Sequence, residues 1–163
     1  MTETSIFNPP APSAIGLRVP DFTVPATGGE FTLSAFRGKP LVLYFYPKDN
    51  TPGCTTQAQQ FRDLHAEFIK AGCVVVGVSR DSLKSHESFK AKLGLPFELI
   101  SDIEGVLCRV FDVVKNKMLY GKKVLGIERS TFLIDASGAL RQEWRSTKAD
   151  GNAAIVLEAA RKL

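Results

Sequence analysis

Apolar positions in this chain fall into two patterns: short solid runs, and residues recurring every three or four positions. The first predicts strands and the second helices, in alternation. Leu41-Val42-Leu43-Tyr44-Phe45-Tyr46 and Cys73-Val74-Val75-Val76-Gly77-Val78 have the length and the β-branched or aromatic content of strands buried on both faces. Between them Ala58, Phe61, Leu64 and Phe68 lie at helical spacing and Gly72 ends the segment, predicting a helix over 52–71. Leu83, Phe89 and Leu93 predict another, capped by Asp81 or Ser82 and stopped by Gly94. Phe97–Ile100 reads as a short strand, and Val106, Leu107, Val110, Phe111 and Val114 as one face of a helix over 104–114. Phe22, Val24, Phe31 and Leu33 flank Ala26-Thr27-Gly28-Gly29 as an N-terminal hairpin, followed by one helical turn at 33–36. Ile127–Asp135 and Ala139–Trp144 flank Ala136-Ser137-Gly138 as a second hairpin, before a last helix over 152–162. Residues 1–13, with Asn8-Pro9-Pro10-Ala11-Pro12, predict a flexible tail, which leaves 14–163 as one domain. Such an order implies an α/β fold whose mixed central sheet is flanked by helices.

One junction in this pattern carries candidate chemistry. Pro47 ends the first apolar run by removing a ladder donor, Thr51 reads as an N-cap, and Pro52 suits the first helical position, where an N–H would be orphaned anyway. Cys54 then lies about three residues inside the helix N-terminus, where the Gly53 and Cys54 amides are free and the dipole is positive. Such a setting favours the thiolate and can lower a cysteine pKa from about 8.5 to roughly 3.5–7.5. A small buried hydrophobe is the alternative role for Cys54 at this level.

Composition narrows the function. The chain has 163 residues, 44% hydrophobic and 23% charged, with a net charge of +4. That is globular, and the basic residues are interspersed with acidic ones. The cluster Lys115, Lys117, Lys122 and Lys123 lacks interleaved aromatics, reads as a solvated face, and gives no nucleic-acid signature. Three cysteines without CxxC spacing argue against a disulfide framework, a zinc site, or dithiol–disulfide exchange, and for a reducing compartment. Residues 1–13 lack the basic and apolar regions of a targeting signal, and no run approaches the roughly 20 apolar residues of a membrane span, so a cytoplasmic location is expected. His65 and His86, among charged residues on predicted helices, are expected at the surface without a role, and no residue cluster has metal-ligand spacing.

Pro47-x-x-x-Thr51-x-x-Cys54, with Arg129 in Glu128-Arg129-Ser130-Thr131-Phe132-Leu133-Ile134-Asp135, resembles the active-site signature of peroxiredoxins. The stretch Tyr44-Phe45-Tyr46-Pro47-Lys48-Asp49-Asn50-Thr51-Pro52-Gly53-Cys54-Thr55-Thr56 is similar to the bacterioferritin comigratory protein, or peroxiredoxin Q, subfamily. The resemblance implies a thioredoxin-like fold and reduction of hydrogen peroxide or organic hydroperoxides without a cofactor. It implies Cys54 as the attacking thiolate, Thr51 as the hydroxyl that contacts peroxide, Pro47 as the shield over the thiolate, and Arg129 as the cation. The Gly53 amide would help to bind substrate. A monomer is common in the subfamily.

Departures from the subfamily bear on the second half of the cycle. Gln59 and Lys90 stand where relatives carry a resolving cysteine, and Gln57 where many carry glutamate. A one-cysteine mechanism follows, in which thioredoxin, glutaredoxin or a small thiol attacks the sulfenic acid. Cys73 and Cys108 read as core thiols, with Cys108 the alternative resolving partner, and a redox sensor is the non-enzymatic alternative.

Overall fold

The computed structural model describes residues 14–163, so the tail expected over 1–13 lies outside the described residues. Seven strands form a mixed sheet in the order β2-β1-β5-β4-β3-β8-β9. They are β1 (Thr23–Ala26), β2 (Gly29–Thr32), β3 (Leu41–Phe45), β4 (Val74–Ser79), β5 (Leu99–Ser101), β8 (Ser130–Ile134) and β9 (Leu140–Trp144). β3 runs parallel to β4 and β4 to β5, whereas β8 pairs antiparallel with β3, so the centre is parallel and the flanks are antiparallel. A separate hairpin joins β6 (Val114–Leu119) to β7 (Lys122–Ile127). Among the described residues five α-helices follow, α1 (Pro52–Asp63), α2 (His65–Lys70), α3 (Leu83–Leu93), α4 (Val106–Val110) and α5 (Asn152–Arg161), and the helical turn expected over 33–36 is a 3-10 helix, Leu33–Phe36.

Period-two alternation along β3 divides the core. Leu41, Leu43 and Phe45 pack on one face with Leu107, Cys108 and Phe111; Val42, Tyr44 and Tyr46 pack on the other with Cys54, Phe61, Phe68 and Cys73. Both apolar strands are sealed on both faces, as their solid runs predict.

Several expected boundaries shift. The helix expected over 52–71 bends at Leu64 (φ −97°, ψ 2°) into α1 and α2, which keeps Phe61 and Phe68 together on the sheet, ring centroids 5.7 Å apart. α4 stops at Val110 rather than 114, because Asp112 turns left-handed (φ 53°) and the Val113 N–H reaches back to the Cys108 carbonyl at 3.0 Å. That closure ordinarily uses glycine, so no residue type signalled it. The lysine-bearing segment is the β6–β7 hairpin, closed by Tyr120 (φ 52°) and Gly121 (φ 78°), with Lys122 and Lys123 exposed. Arg129, expected within a strand, lies in the two-residue gap between β7 and β8.

Candidate active site

The β3–α1 loop opens at the carboxyl end of a central parallel strand, where reactive groups collect in open α/β sheets. Asn50 takes a left-handed conformation (φ 63°) that turns the chain into Thr51, and Pro52 starts α1. Thr51 holds the N-cap position, but its hydroxyl does not cap the helix. It donates instead to the Lys48 carbonyl at 2.8 Å, while the Thr51 carbonyl accepts from the Thr55 N–H at 2.9 Å. The expectation of a side-chain cap at Thr51 is thus corrected: the loop's own carbonyl competes for the short hydroxyl. The Gly53 and Cys54 N–H groups have no helical carbonyl one turn back. Pro47 is half-buried in the same loop.

Arg129 arrives from the β7–β8 gap. Its Nη2 donates to Cys54 Sγ at 3.6 Å and its Nη1 to Gln57 Oε1 at 2.7 Å. Cys54 and Gln57 share a helix face at spacing i, i+3, so one guanidinium spans both. Glycine at 53 permits the approach, since a Cβ there would lie 3.0 Å from Arg129 Nη2. Behind this pair runs a relay that the sequence reading missed. Gln57, fully buried, donates through Nε2 to Asn152 Oδ1 at 3.0 Å. Asn152 Oδ1 also accepts from the Thr131 hydroxyl at 2.8 Å, and its Nδ2 donates to Thr147 Oγ1 at 3.2 Å. Because a guanidinium only donates, Gln57 must present its oxygen to Arg129, which leaves its Nε2 to donate to Asn152 Oδ1. Only a fold that brings residue 152 beside residue 57 could signal this.

The other thiols are poor nucleophiles. Burial pushes the Cys73 thiol up to about 12. Burial and then the Asp102 carboxylate push Cys108 well above the ordinary range. Cys108 lies across the sheet from Cys54, in the other core layer. Cys73 shares the Cys54 face but sits at the amino end of β4, beside the start of β3, so the length of β3, on the order of 13 Å, separates the two. That exceeds the roughly 7 Å limit between the Cα atoms of a disulfide. Lys90 is paired with Glu98 at 2.6 Å, and Gln59 is half-buried on α1.

The histidines depart from expectation. His65 is half-buried beside Phe97, and His86 is 0% exposed, because Asp49 and the Ile100 carbonyl supply it with buried acceptors. Tyr44, beneath the site, carries the buried side-chain polar atom that lacks a partner among the described residues. Burial, then the nearby Cys54 and Asp49, raise its pKa and keep the phenol neutral. Among the described residues Asp49, Asp81 and His86 have ligand atoms within 4.8 Å of one another, a grouping invisible in sequence spacing. Their facing atoms are already engaged: Asp49 Oδ2 by His86 and Ser85, and Asp81 Oδ2 by Ser79 and the Asp49 amide. A cleft lined by Phe22, Val24, Leu83, Ile103 and Val106 among others includes none of Pro47, Thr51, Cys54 or Arg129. No helix of the described residues is long and apolar enough to cross a membrane.

The AhpC/TSA family model matches residues 15–143. Peroxiredoxin Bcp of Xanthomonas campestris is 54% identical over 140 residues, covering 85% of this chain and 88% of the relative. Peroxiredoxin Bcp of Bacillus subtilis is 50% identical over 145 residues, covering 88% of this chain and 92% of the relative. Among solved structures, the Xanthomonas campestris bacterioferritin comigratory protein, described for its alkyl peroxide reduction activity in trapped intermediate and ligand complexes, aligns with a TM-score of 0.85 and 50% identity, covering 91% of this chain and 98% of that one. These findings bear out the resemblance to peroxiredoxins of the bacterioferritin comigratory protein subfamily, and the thioredoxin-like architecture expected from it is that of these neighbours.

Proposed function

Since the chain belongs to the AhpC/TSA family as a peroxiredoxin of the Bcp and peroxiredoxin Q kind, and so is a thiol-dependent peroxidase, we propose that Cys54 is its peroxide-attacking group and Arg129, Thr51, Pro47 and the Gly53 amide its site. The observation that carries this reading is the Arg129 guanidinium 3.6 Å from Cys54 Sγ at a helix N-terminus. A fixed cation and free amides favour a thiolate there, whereas Cys73 and Cys108 face the opposite influence.

The thiolate lone pair forms an S–O bond to one peroxide oxygen, the O–O bond breaks, and its electron pair leaves with the second oxygen, which takes up a proton as water or alcohol. Arg129 and the helix-end amides hold the charge as it moves from sulfur to oxygen. Thr51 spends its hydroxyl proton on the Lys48 carbonyl, so its lone pairs are free to accept from the peroxide O–H. Pro47 shields the sulfur from water. Hydrogen peroxide and organic hydroperoxides are the proposed substrates.

Cys54 becomes a sulfenic acid, which an external thiol attacks with release of water, giving a mixed disulfide that a second thiol resolves. Thioredoxin, glutaredoxin or a small thiol would serve. Cys108 lies in the other core layer and Cys73 at the far end of β3, an arrangement that supports this one-cysteine cycle over resolution by Cys108. Cys54 is 1% exposed, so the first turn of α1 opens before the reductant can reach the sulfur. The protein would act as a monomeric single domain over 14–163 in a reducing, cytoplasmic setting, without partners among nucleic acids or membranes.

Peroxide consumption by Cys54→Ser tests the assignment. Loss of activity is expected, and undiminished consumption would refute it. Arg129→Ala should slow Cys54 oxidation by about 100-fold and move the acid limb of the rate profile to higher pH. An unaltered profile would remove Arg129 from the site.

A further inference from the structure

His86 on α3 hydrogen-bonds to none of the residues assigned to the reaction, yet both its ring nitrogens face oxygen acceptors. Nδ1 lies 2.7 Å from Asp49 Oδ2 and Nε2 lies 2.9 Å from the Ile100 carbonyl. A carbonyl only accepts, so Nε2 carries a hydrogen. Asp49 in turn receives the Tyr46 hydroxyl on Oδ1 at 2.7 Å and the Ser85 hydroxyl on Oδ2 at 2.8 Å. A carboxyl group receiving that many donors is the carboxylate, so the hydrogen on the Asp49–His86 line belongs to the ring. His86 is therefore an imidazolium sealed from solvent, with Asp49 as its counter-charge.

The groups around it agree. Asp81 is a second carboxylate, turned toward the same centre through the Ser79 hydroxyl and the Asp49 amide, which it accepts at 2.5 and 2.9 Å. Tyr46 is kept neutral by burial and by Tyr44 and Asp49. Asp49 falls between Pro47 and Thr51, followed at once by the left-handed Asn50. Its side chain is gripped by α3 and its amide by Asp81, so the loop is pinned at its midpoint.

We propose that His86 is a positioning residue for peroxide reduction: as an imidazolium on α3 it holds Asp49, and through Asp49 it sets the loop that places Thr51 and the Gly53 and Cys54 amides around the reacting sulfur. This rests on Cys54 as the reacting thiol. It gives the loop a rigid support outside its own helix, and the pairing leaves Asp49 without a net charge to set against the thiolate. A bare Asp49 carboxylate would oppose it.

Stopped-flow oxidation of the full-length reduced protein by hydrogen peroxide, across pH, tests the role with His86→Leu, His86→Gln, Asp49→Asn and the His86→Leu/Asp49→Asn pair. His86→Leu should be slower by about 10- to 100-fold, with its acid limb moved to higher pH, because a loop displaced by even an ångström loses that much. His86→Gln, which keeps one donor, should recover part of the rate. The double variant should be no slower than the slower single one, since both act through one link. A wild-type rate and profile for His86→Leu, or additive slowing in the double variant, would overturn the proposal. If the leucine variant does not fold, nitrogen-15 NMR of the wild-type ring in the reduced protein decides: a hydrogen on both ring nitrogens, as the two acceptors require, is expected, and a neutral tautomer overturns it. Undiminished peroxide loss in Cys54→Ser would remove the premise and the role together, and is told apart because the other failures leave Cys54→Ser inactive.

Discussion

Gly53 leaves space where a guanidinium must come close to a sulfur. Its backbone is not left-handed, so alanine fits the helix and only the Arg129 contact at 3.0 Å suffers. Gly53→Ala should therefore separate activity from folding: Cys54 oxidation slows by about 10-fold, while stability changes by no more than about 1 kcal/mol. Peroxide kinetics beside a denaturant titration check it, and parallel losses in both would mean that the glycine serves the helix rather than Arg129. The residue scale also shows what single positions conceal. Cys54, Pro52 and Pro47 announce themselves by type and order, because helix ends and strand stops are local. Gln57 and Asn152 do not, because an amide becomes part of a site only when another segment supplies its partner.

Among the elements, α3 is the one whose limits the sequence states most fully. Ser82 caps it by accepting from the Ser85 N–H at 3.1 Å, and Gly94 closes it in the left-handed region at φ 63°. Ser82→Ala should cost about 1 kcal/mol of stability, read as a lowered denaturant midpoint at unchanged slope. No loss would mean that the cap is replaced by water. The same first turn carries Ser85 and His86 toward Asp49, so this helix supports the β3–α1 loop as well as the sheet. α4 and the β6–β7 hairpin were less legible. Asp112 and Tyr120 adopt left-handed conformations usually signalled by glycine or asparagine, and a lysine-rich strand pair lacks the apolar alternation that marks a half-buried ribbon. Arg129 owes its place outside the strands to that hairpin.

At the scale of the molecule, the sheet separates Cys54 from Cys108, and the length of β3 separates it from Cys73. The Cys73→Ala/Cys108→Ala double variant should consume peroxide within about twofold of wild type with an external thiol as reductant, since distant and inert groups do not couple to Cys54. Peptide mapping after one equivalent of peroxide should recover both of these cysteines reduced, and a Cys54–Cys108 bond would sink the one-cysteine cycle. The molecule should also have an acid limit set partly by Asp49. Burial opposes its ionisation, but hydrogen bonds from His86, Tyr46 and Ser85 outweigh this and hold its carboxyl below the usual range. Its contribution is complete above the unfolded value of about 3.9 and is lost as pH falls through the lower folded value. Asp49→Asn should flatten the fall in stability below about pH 4, and identical slopes would clear Asp49 of that role.

The sequence by itself determined the α/β order, the two sealed strands, and a cysteine delivered to a helix N-terminus, because each depends on periodicity or on residues within one turn of each other. It also carried the family resemblance, since that signature is nearly contiguous. The tertiary structure alone decided which end of the Gln57 amide meets Arg129, that Cys108 lies across the sheet from Cys54, and that His86 is buried against Asp49. These are matters of distance between segments as many as 95 residues apart, as for Gln57 and Asn152. A buried charge or amide is legible only when the fold brings up the group that satisfies it.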